Sequence, residues 1–326
     1  MNHSLTCRER SVARPHLLTE VPHVMILMAA YNGASFLCEQ LDSIERQSHR
    51  NWTLVVSDDG STDETSSILD DYRRRWGAER LVVVEGPRRG FVANFLSLVC
   101  MHPGHADFYA WSDQDDIWHA DKLRAALREL VPLREELPLL YCGRTELVLE
   151  SGQPVGYSPL FSRAPGFNNA LVQNLGGGNT MVFNSTTRRL LQCAGCEVDV
   201  PSHDWWAYQL VTGAGGIVVY DPQPWVAYRQ HGANLVGANS SWPARLMRLR
   251  MLIGGRFTNW NDRNLRALSS MREYLTPDNR RALDRFSAAR RKVMLPRVLG
   301  VLRSGVYRQT ILGNLGLVLA ALLKRL

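Results

Sequence analysis

No stretch of this 326-residue chain approaches the roughly 20 consecutive apolar residues that a membrane-spanning helix needs. The terminal apolar stretch, Ile311 to Leu323, is 13 residues long and interrupted by Asn314. The first 23 residues are polar and charged and carry no signal-peptide pattern. Cysteine is sparse, with six at positions 7, 38, 100, 142, 193 and 196. Their one Cys-x-x-Cys, Cys193-Ala-Gly-Cys196, lacks the two further ligands that a structural zinc would want. Reduced thiols and a cytoplasmic chain are therefore expected. No internal repeat or low-complexity tract is present, and no nucleic-acid recognition motif accompanies the basic residues, so nucleic acid is not an expected partner. The first apolar run ends in Ala29-Ala-Tyr-Asn-Gly33, which is no glycine-rich phosphate loop.

What is there is enzyme-sized and asymmetric. Hydrophobic residues make up 45% of the chain, enough for one large α/β domain of about 220 residues with an appendage. The net charge of +7 conceals two opposed parts. From Pro243 onward there are 18 Lys+Arg against 4 Asp+Glu, and before it 20 against 27. Arg dominates the basic tail, where Leu246, Leu249, Met251, Leu252 and Ile253 recur at helix-like intervals.

Val24 to Ala30 and Trp52 to Val56 read as buried parallel strands. Between them, Phe36, Leu37, Leu41 and Ile44 place a helix over Ser35 to Gln47, and Ser61-Thr-Asp-Glu64 resembles a capping box opening another. A third strand is expected at Leu81 to Glu85, a helix from about Val92, and a fourth strand over Phe108 to Trp111. That strand delivers Asp113, Asp115 and Asp116, three carboxylates that repel one another unless a cation compensates; hard oxygens suit Mg2+ or Mn2+. In open α/β sheets ligands sit beyond the carboxyl ends of the strands, so Tyr31-Asn32, Asp58-Asp59, Arg88-Arg89 and Asp113 to Asp116 should converge on one cleft. In the second half, three glycines, Gly176 to Gly178, precede a strand near Phe183. A helix begins at Pro201-Ser-His-Asp-Trp-Trp206, a helix Ala120 to Val131 is packed and solvated by Trp118 and Lys122, and one strand is expected from Gly216 through Trp225 to Tyr228.

These motifs, in this order, resemble the family 2 glycosyltransferases of the GT-A fold: Ala30-Tyr-Asn32, Ser57-Asp-Asp-Gly-Ser-Thr-Asp63, Asp113-Gln-Asp115 and His203-Asp204. Ser112-Asp-Gln-Asp-Asp-Ile-Trp118 with Tyr228-Arg-Gln-His-Gly232 is similar to the rhamnosyltransferase-like subgroup. The resemblance covers about Val24 to Gly237. It implies that Asp58, with Asp59, accepts a hydrogen bond from the imide N–H of a uracil or thymine. Ala30, Tyr31 and Asn32 would border the nucleoside, and Arg88 or Arg89 would meet base or phosphate, a solvated pair being the alternative. Gln114 joins the donor set, and Asn94 and Phe95 pack beneath the cleft. Asp113, Asp115 and His231 are the implied metal ligands, Asp116 stands behind them, and Arg229 could pair with a phosphate. Asp204 corresponds to the base that deprotonates the acceptor, and Gly177, Gly178, Asn179, His203, Trp205 and Trp206 to the acceptor side.

The expected fold class is thus α/β, a GT-A catalytic domain over 23–240 with a nucleotide-sugar half (23–118) and an acceptor half (119–240), preceded by an extension (1–22, with His3, Pro15 and His16) and followed by a basic helical region (241–326). The implied reaction is inverting, metal-dependent transfer from a dTDP- or UDP-sugar, dTDP-rhamnose among them, to a saccharide or lipid-linked acceptor of bacterial surface polysaccharide or lipopolysaccharide. A nucleotidyltransferase-type enzyme and a non-catalytic assembly subunit are the alternatives. The basic tail admits three readings: peripheral attachment to the cytoplasmic face of the inner membrane, docking on the acidic catalytic domain, or a homodimer interface.

Overall fold

The computed structural model describes residues 21–231 and 256–326. The extension up to residue 20, Gly232 to Gly237 and the stretch from Leu246 to Ile253 lie outside the described residues. The chain opens β1 (Val24–Ala30), α1 (Ala34–Glu45), β2 (Trp52–Asp58), α2 (Thr65–Trp76), β3 (Leu81–Glu85), α3 (Phe91–Met101) and β4 (Phe108–Ser112), in the expected alternation. It continues through β5 (Ile117–Trp118), α4 (Lys122–Leu130), β6 (Leu139–Gly143), β7 (Glu146–Leu149), β8 (Pro154–Tyr157) and α5 (Phe167–Ala170). A single 3-10 turn (Gly178–Thr180) then leads into β9 (Val182–Asn184), α6 (Ser185–Ala194), α7 (His203–Gly213), β10 (Ile217–Asp221) and β11 (Val226–Gln230).

One sheet runs β10-β6-β9-β4-β1-β2-β3, parallel throughout except for β9, which is antiparallel to both neighbours. Because β1 is covered on both faces, its apolar run divides by period two. Met25 and Leu27 enter one core, and Val24, Ile26, Met28 and Ala30 the other. Leu37, Leu41 and Ile44 of α1, spaced to share one helix face, cover the second core together with Leu123, Leu127 and Leu130 of α4. On the opposite face α3 supplies Phe95, Leu98 and Val99, and α7 supplies Trp206, Leu210 and Val211. A fully buried Leu of this kind contributes about 2 kcal/mol. β1 has β2 on one side and β4 on the other, so the crossovers diverge there and open a crevice at the strands' carboxyl ends.

Two local expectations are corrected. Ser61 does not cap α2: its N–H and hydroxyl both donate to Asp58 Oδ1, at 2.9 and 2.6 Å. Asp63 serves two helix starts instead, accepting from Thr65 N at 3.1 Å and Ala34 N at 3.0 Å. The strand expected from Gly216 to Tyr228 is two strands in two sheets. Pro222 and Pro224, which lack the N–H a ladder needs, break it after Asp221. Asp221 Oδ2 pins the corner, accepting from Tyr141 Oη at 2.7 Å and Trp225 Nε1 at 2.9 Å. β11 then joins a second sheet, β5-β11-β7-β8.

Among the described residues four C-terminal α-helices follow: α8 (Arg256–Ser270), α9 (Pro277–Arg291), α10 (Met294–Arg303) and α11 (Ile311–Leu322). Their inner faces share the core of α3 and α7 through Leu268, Phe286, Val301 and Ala321. Trp260 meets Trp205 edge-on at 6.4 Å, and Arg263 pairs with Asp199 at 2.7 Å. Docking on the catalytic domain is therefore one role of this region. Its outer face exposes Leu295, Leu299 and Leu302 of α10 and Ile311, Leu312 and Leu315 of α11. Among the described residues no helix is long and apolar enough to cross a membrane.

Candidate active site

At the carboxyl ends of β1 and β2 the loops are tied to one another by side-chain-to-backbone bonds. Gln114 clasps Tyr31 in both directions: Tyr31 N donates to its Oε1 at 2.9 Å, and its Nε2 donates to Tyr31 O at 3.0 Å. The ring of Tyr31 stays 58% exposed above this clasp, free to face a ligand. Asn32 sits at φ 47°, a left-handed position that asparagine tolerates, and its Oδ1 accepts from Thr62 N at 2.8 Å. Asp59 holds the next loop, accepting from Arg88 N and from Gly90 N at 2.9 Å. A Cβ on Gly86 would meet Asp59 Cα at 2.8 Å, so only glycine fits there. Asp58 is committed through Oδ1 to Ser61, while Oδ2 has one long contact, Ser66 Oγ at 3.3 Å. Arg89 turns away to a two-bond pair with Glu197, at 2.9 and 2.6 Å. In these contacts Gln114 and Asp59 act as scaffold, Ala30 ends β1 inside the core, and Tyr31, Asn32 and Asp58 stand at the strands' carboxyl ends.

Beyond β4 the carboxylates do gather. Burial, then the charges of Asp116, Asp115 and Asp204, raises the Asp113 carboxyl well above the ordinary range. Asp116, fully buried, is pushed up to about 7 by burial and by Asp115. It accepts from Asn179 Nδ2 at 2.6 Å and from Arg229 N at 3.3 Å. Asp115 Oδ2 lies 2.8 Å from His231 Nε2. Asp204, at the first turn of α7, accepts from Gly178 N at 3.2 Å and Trp205 N at 2.6 Å. The 3-10 turn thus staples the two halves: Gly178 holds Asp204, and Asn179 holds Asp116. The glycines here serve close approach to the protein itself, since a Cβ on Gly176 would fall 2.8 Å from Cys142 Cβ and one on Gly178 2.4 Å from His203 Nε2.

Several assignments change place. His203 is buried, stacked on Phe95 at 4.0 Å and edge-on to Trp111 at 4.7 Å, and burial drives its imidazole down to about 4. Trp205 and Trp206 are also core residues, Trp205 Nε1 donating to Ala170 O at 2.7 Å. None of the three presents a face to a sugar in this geometry. Asn94 and Phe95 pack as expected, Asn94 Nδ2 donating to Ser57 O at 3.0 Å. Arg229 is not available to a phosphate. Its guanidinium is buried against Phe36 and donates to Asp115 O at 3.0 Å, to Glu39 Oε2 at 2.7 Å and to Glu150 O.

Two residues were missed. Lys122, expected on a solvated helix, is 1% exposed, with Nζ 3.3 Å from the centre of the Trp118 ring and no hydrogen-bond partner. Burial holds its ammonium well below its usual value, opposed by the attraction of Asp116 and Asp113, which face it. Its signal in sequence was available: it is the one lysine in residues 1–291. Tyr228 is the other. Burial, then the charges of Asp113, Asp116, Asp115 and Asp204, raises its phenol.

Among the described residues no group of three His, Cys, Asp or Glu side chains converges closely enough to hold a metal by itself. Asp115 and His231 form a two-donor pair, with Asp113 and Asp116 as a mutually repelling reserve of negative charge beside it.

Comparison with known proteins agrees with this geometry. The Glycosyl transferase family 2 profile matches residues 25–142. A dTDP-rhamnosyl transferase of Shigella flexneri, RfbG, is 28% identical over 238 residues, 69% of this chain and 78% of that protein. The putative teichuronic acid biosynthesis glycosyltransferase TuaG of Bacillus subtilis is 30% identical over 106 residues, 32% of this chain and 41% of its own length. Among solved structures, TarS 1-349 of S. aureus in complex with UDP-GlcNAc superposes with a TM-score of 0.50 at 15% identity, covering 87% of this chain and 93% of that one. The mannosyltransferase PcManGT of Pyrobaculum calidifontis, in complex with GDP-Man and Mn2+, gives 0.50 at 17%, covering 94% and 88%. The sheet order, the switch point between β1 and β4, the gathered carboxylates and the profile match converge on one reading: residues 25–142 carry a Glycosyl transferase family 2 domain, and the chain has the GT-A fold of glycosyltransferases.

Proposed function

We propose that the protein transfers a sugar, with inversion, from a dTDP- or UDP-sugar to a saccharide or lipid-linked acceptor, and that dTDP-rhamnose heads the list of donors. The observation that carries this is the joining of Asp116 to Asp204 through the Gly178–Asn179 staple, with the charges of Asp115, Asp116 and Asp204 all acting on Asp113 beside it. The similarity to RfbG supports the nucleotide and sugar. Asp58 Oδ2 has lone pairs left for a base imide N–H. Tyr31 offers its exposed ring to the nucleoside.

The donor set suits Mg2+ or Mn2+: carboxylate oxygens with one imidazole, and buried negative charge that a cation would relieve. Asp115 and His231 would hold it, with Asp113 through a water. When bound, it supplies charge neutralisation for the departing nucleoside diphosphate. The chain's own part is positional. Asp204 receives the acceptor's hydroxyl proton as its oxygen bonds to the anomeric carbon and the bond to the diphosphate breaks on the opposite face. The two backbone N–H groups at Asp204 hold its carboxylate in place.

The exposed apolar face of α10 and α11 and the basic tail support residence on an anionic membrane surface, where lipid-linked acceptors are found. Calorimetry with dTDP and UDP, with and without Mn2+, tests the core of the reading. Binding that requires Mn2+ in the wild type and vanishes in Asp115→Ala is expected. Equal binding by both proteins would falsify the metal assignment.

A further inference from the structure

A cavity of about 520 Å³ lies between α8, α9 and the chain's last residues, remote in sequence from every motif of the transferase site. Arg266, Arg290, Arg291, Arg297 and Lys324 line it, with Asp262 the one acidic side chain among the lining residues. Asp262 is already engaged by Arg290 at 2.7 Å. Arg290 is 10% exposed by its side chain, and its Nη2 also donates to Leu326 O at 2.7 Å, yet its Nε is buried with no partner. The Thr258 hydroxyl in the same wall is likewise buried and unpartnered. Arg297, 8% exposed, gives Nε to Lys292 O at 2.8 Å. Burial and the neighbouring charge of Arg290 hold the Arg297 guanidinium below its ordinary value. Cations are not gathered around empty volume without a cost that an anion would relieve. Planar guanidinium groups with spare N–H donors match phosphate oxygens.

The same helices fix what carries that phosphate. Val293, Met294 and Leu295, 60%, 65% and 64% exposed, follow Arg291 after a single lysine, and Leu323, 50% exposed, precedes Lys324, so the cavity's cationic rim continues into the apolar ridge of α10 and α11. A phosphate head beside an apolar surface is the chemistry of a phospholipid at a bilayer. We infer that this cavity is a second, non-catalytic site that takes the phosphate of an anionic phospholipid while the ridge enters the acyl boundary. The naming of a lipid as the source rests on the membrane-surface reading above; capture of a phosphate by the cavity does not.

Flotation of the full chain with vesicles of phosphatidylcholine alone, or with one third phosphatidylglycerol, tests it, beside thermal shift with inorganic pyrophosphate. The wild type should bind the phosphatidylglycerol vesicles at least about tenfold more tightly than the neutral ones. Arg291→Glu and Lys324→Glu, both at the rim, should abolish that preference and the pyrophosphate shift. Leu315→Glu should weaken binding to both vesicles and leave the pyrophosphate shift intact. No vesicle binding by the wild type, with the pyrophosphate shift retained, would overturn the lipid source and the membrane reading together. Vesicle binding without headgroup preference, unchanged in the rim variants, would overturn the cavity and spare the membrane reading. Donor-nucleotide binding, measured in the same samples, should be unaltered in every rim variant, and its loss in them would also count against a separate site.

Discussion

Asp204 stands at the start of α7 with two backbone N–H groups on its carboxylate, an arrangement that fixes its aim. Replacing it by Asn keeps the shape and removes the proton acceptor. Asp204→Asn should therefore retain donor affinity in calorimetry and lose about 10²- to 10⁴-fold in transfer rate. Its neighbour His203 makes a different kind of prediction. Its pKa falls from 6.5 to about 4 in the folded protein, so the unfolded chain binds a proton over that interval and the folded one does not. Stability from this group is complete above 6.5 and lost as pH falls towards 4. His203→Leu should remove that acid-side loss, so that the urea midpoint of the wild type drops relative to the variant between pH 7 and pH 5, by up to about 2 kcal/mol in stability. At this scale the sequence was legible in bringing the acids Asp113, Asp115 and Asp204 together, where the charges of the latter two act on Asp113. It was not where burial decides. Nothing adjacent to Lys122 or Tyr228 announces that each will face carboxylates from other segments.

At the scale of elements, the 3-10 turn Gly178–Thr180 bears more on the site than any helix. Asn179→Ala would leave Asp116 Oδ2 buried without its 2.6 Å donor. A cost of about 1–3 kcal/mol in stability is expected from denaturant titration. Gly178→Ala would instead drive a methyl into the His203 ring and shift the N–H that Asp204 relies on. Its signature should be a fall in kcat with little change in donor binding, read by initial rates over a range of donor concentrations. The strands β1 to β4 were readable because burial on both faces leaves near-continuous apolar runs. The break between β10 and β11 was missed because hydrophobicity alone bridged Pro222 and Pro224. The two prolines were the signal. Ser61 was read as a cap because its spacing allows one; a competing acceptor, Asp58, lies only three residues back.

For the whole molecule, the helical C-terminal region is no passive trailer. Leu268, Phe286 and Ala321 are part of the same core as Trp206 and Phe95. A chain ending before Arg256 would expose that surface. It should be insoluble, or be cut rapidly by proteases within α7, when expressed beside the full chain. Composition foretold a basic, apolar tail but not which of its faces would turn inward, since amphipathic helices of this charge suit a protein surface and a bilayer equally well.

The chain leaves the large sheet at Asp221, where β10 ends, and crosses to the small one, where β11 lies between β5 and β7 and ends just before His231. Asp113 and Asp204 ride on the large sheet and its helices, while His231 and the backbone around Arg229 ride on the small one. The candidate site is thus a seam between two plates. Arg229 of β11 also binds the backbone of Asp115, so sliding the small plate by an ångström would carry the Asp115–His231 pair as a unit relative to Asp204, and the two sides of the seam can be adjusted by separate parts of the architecture.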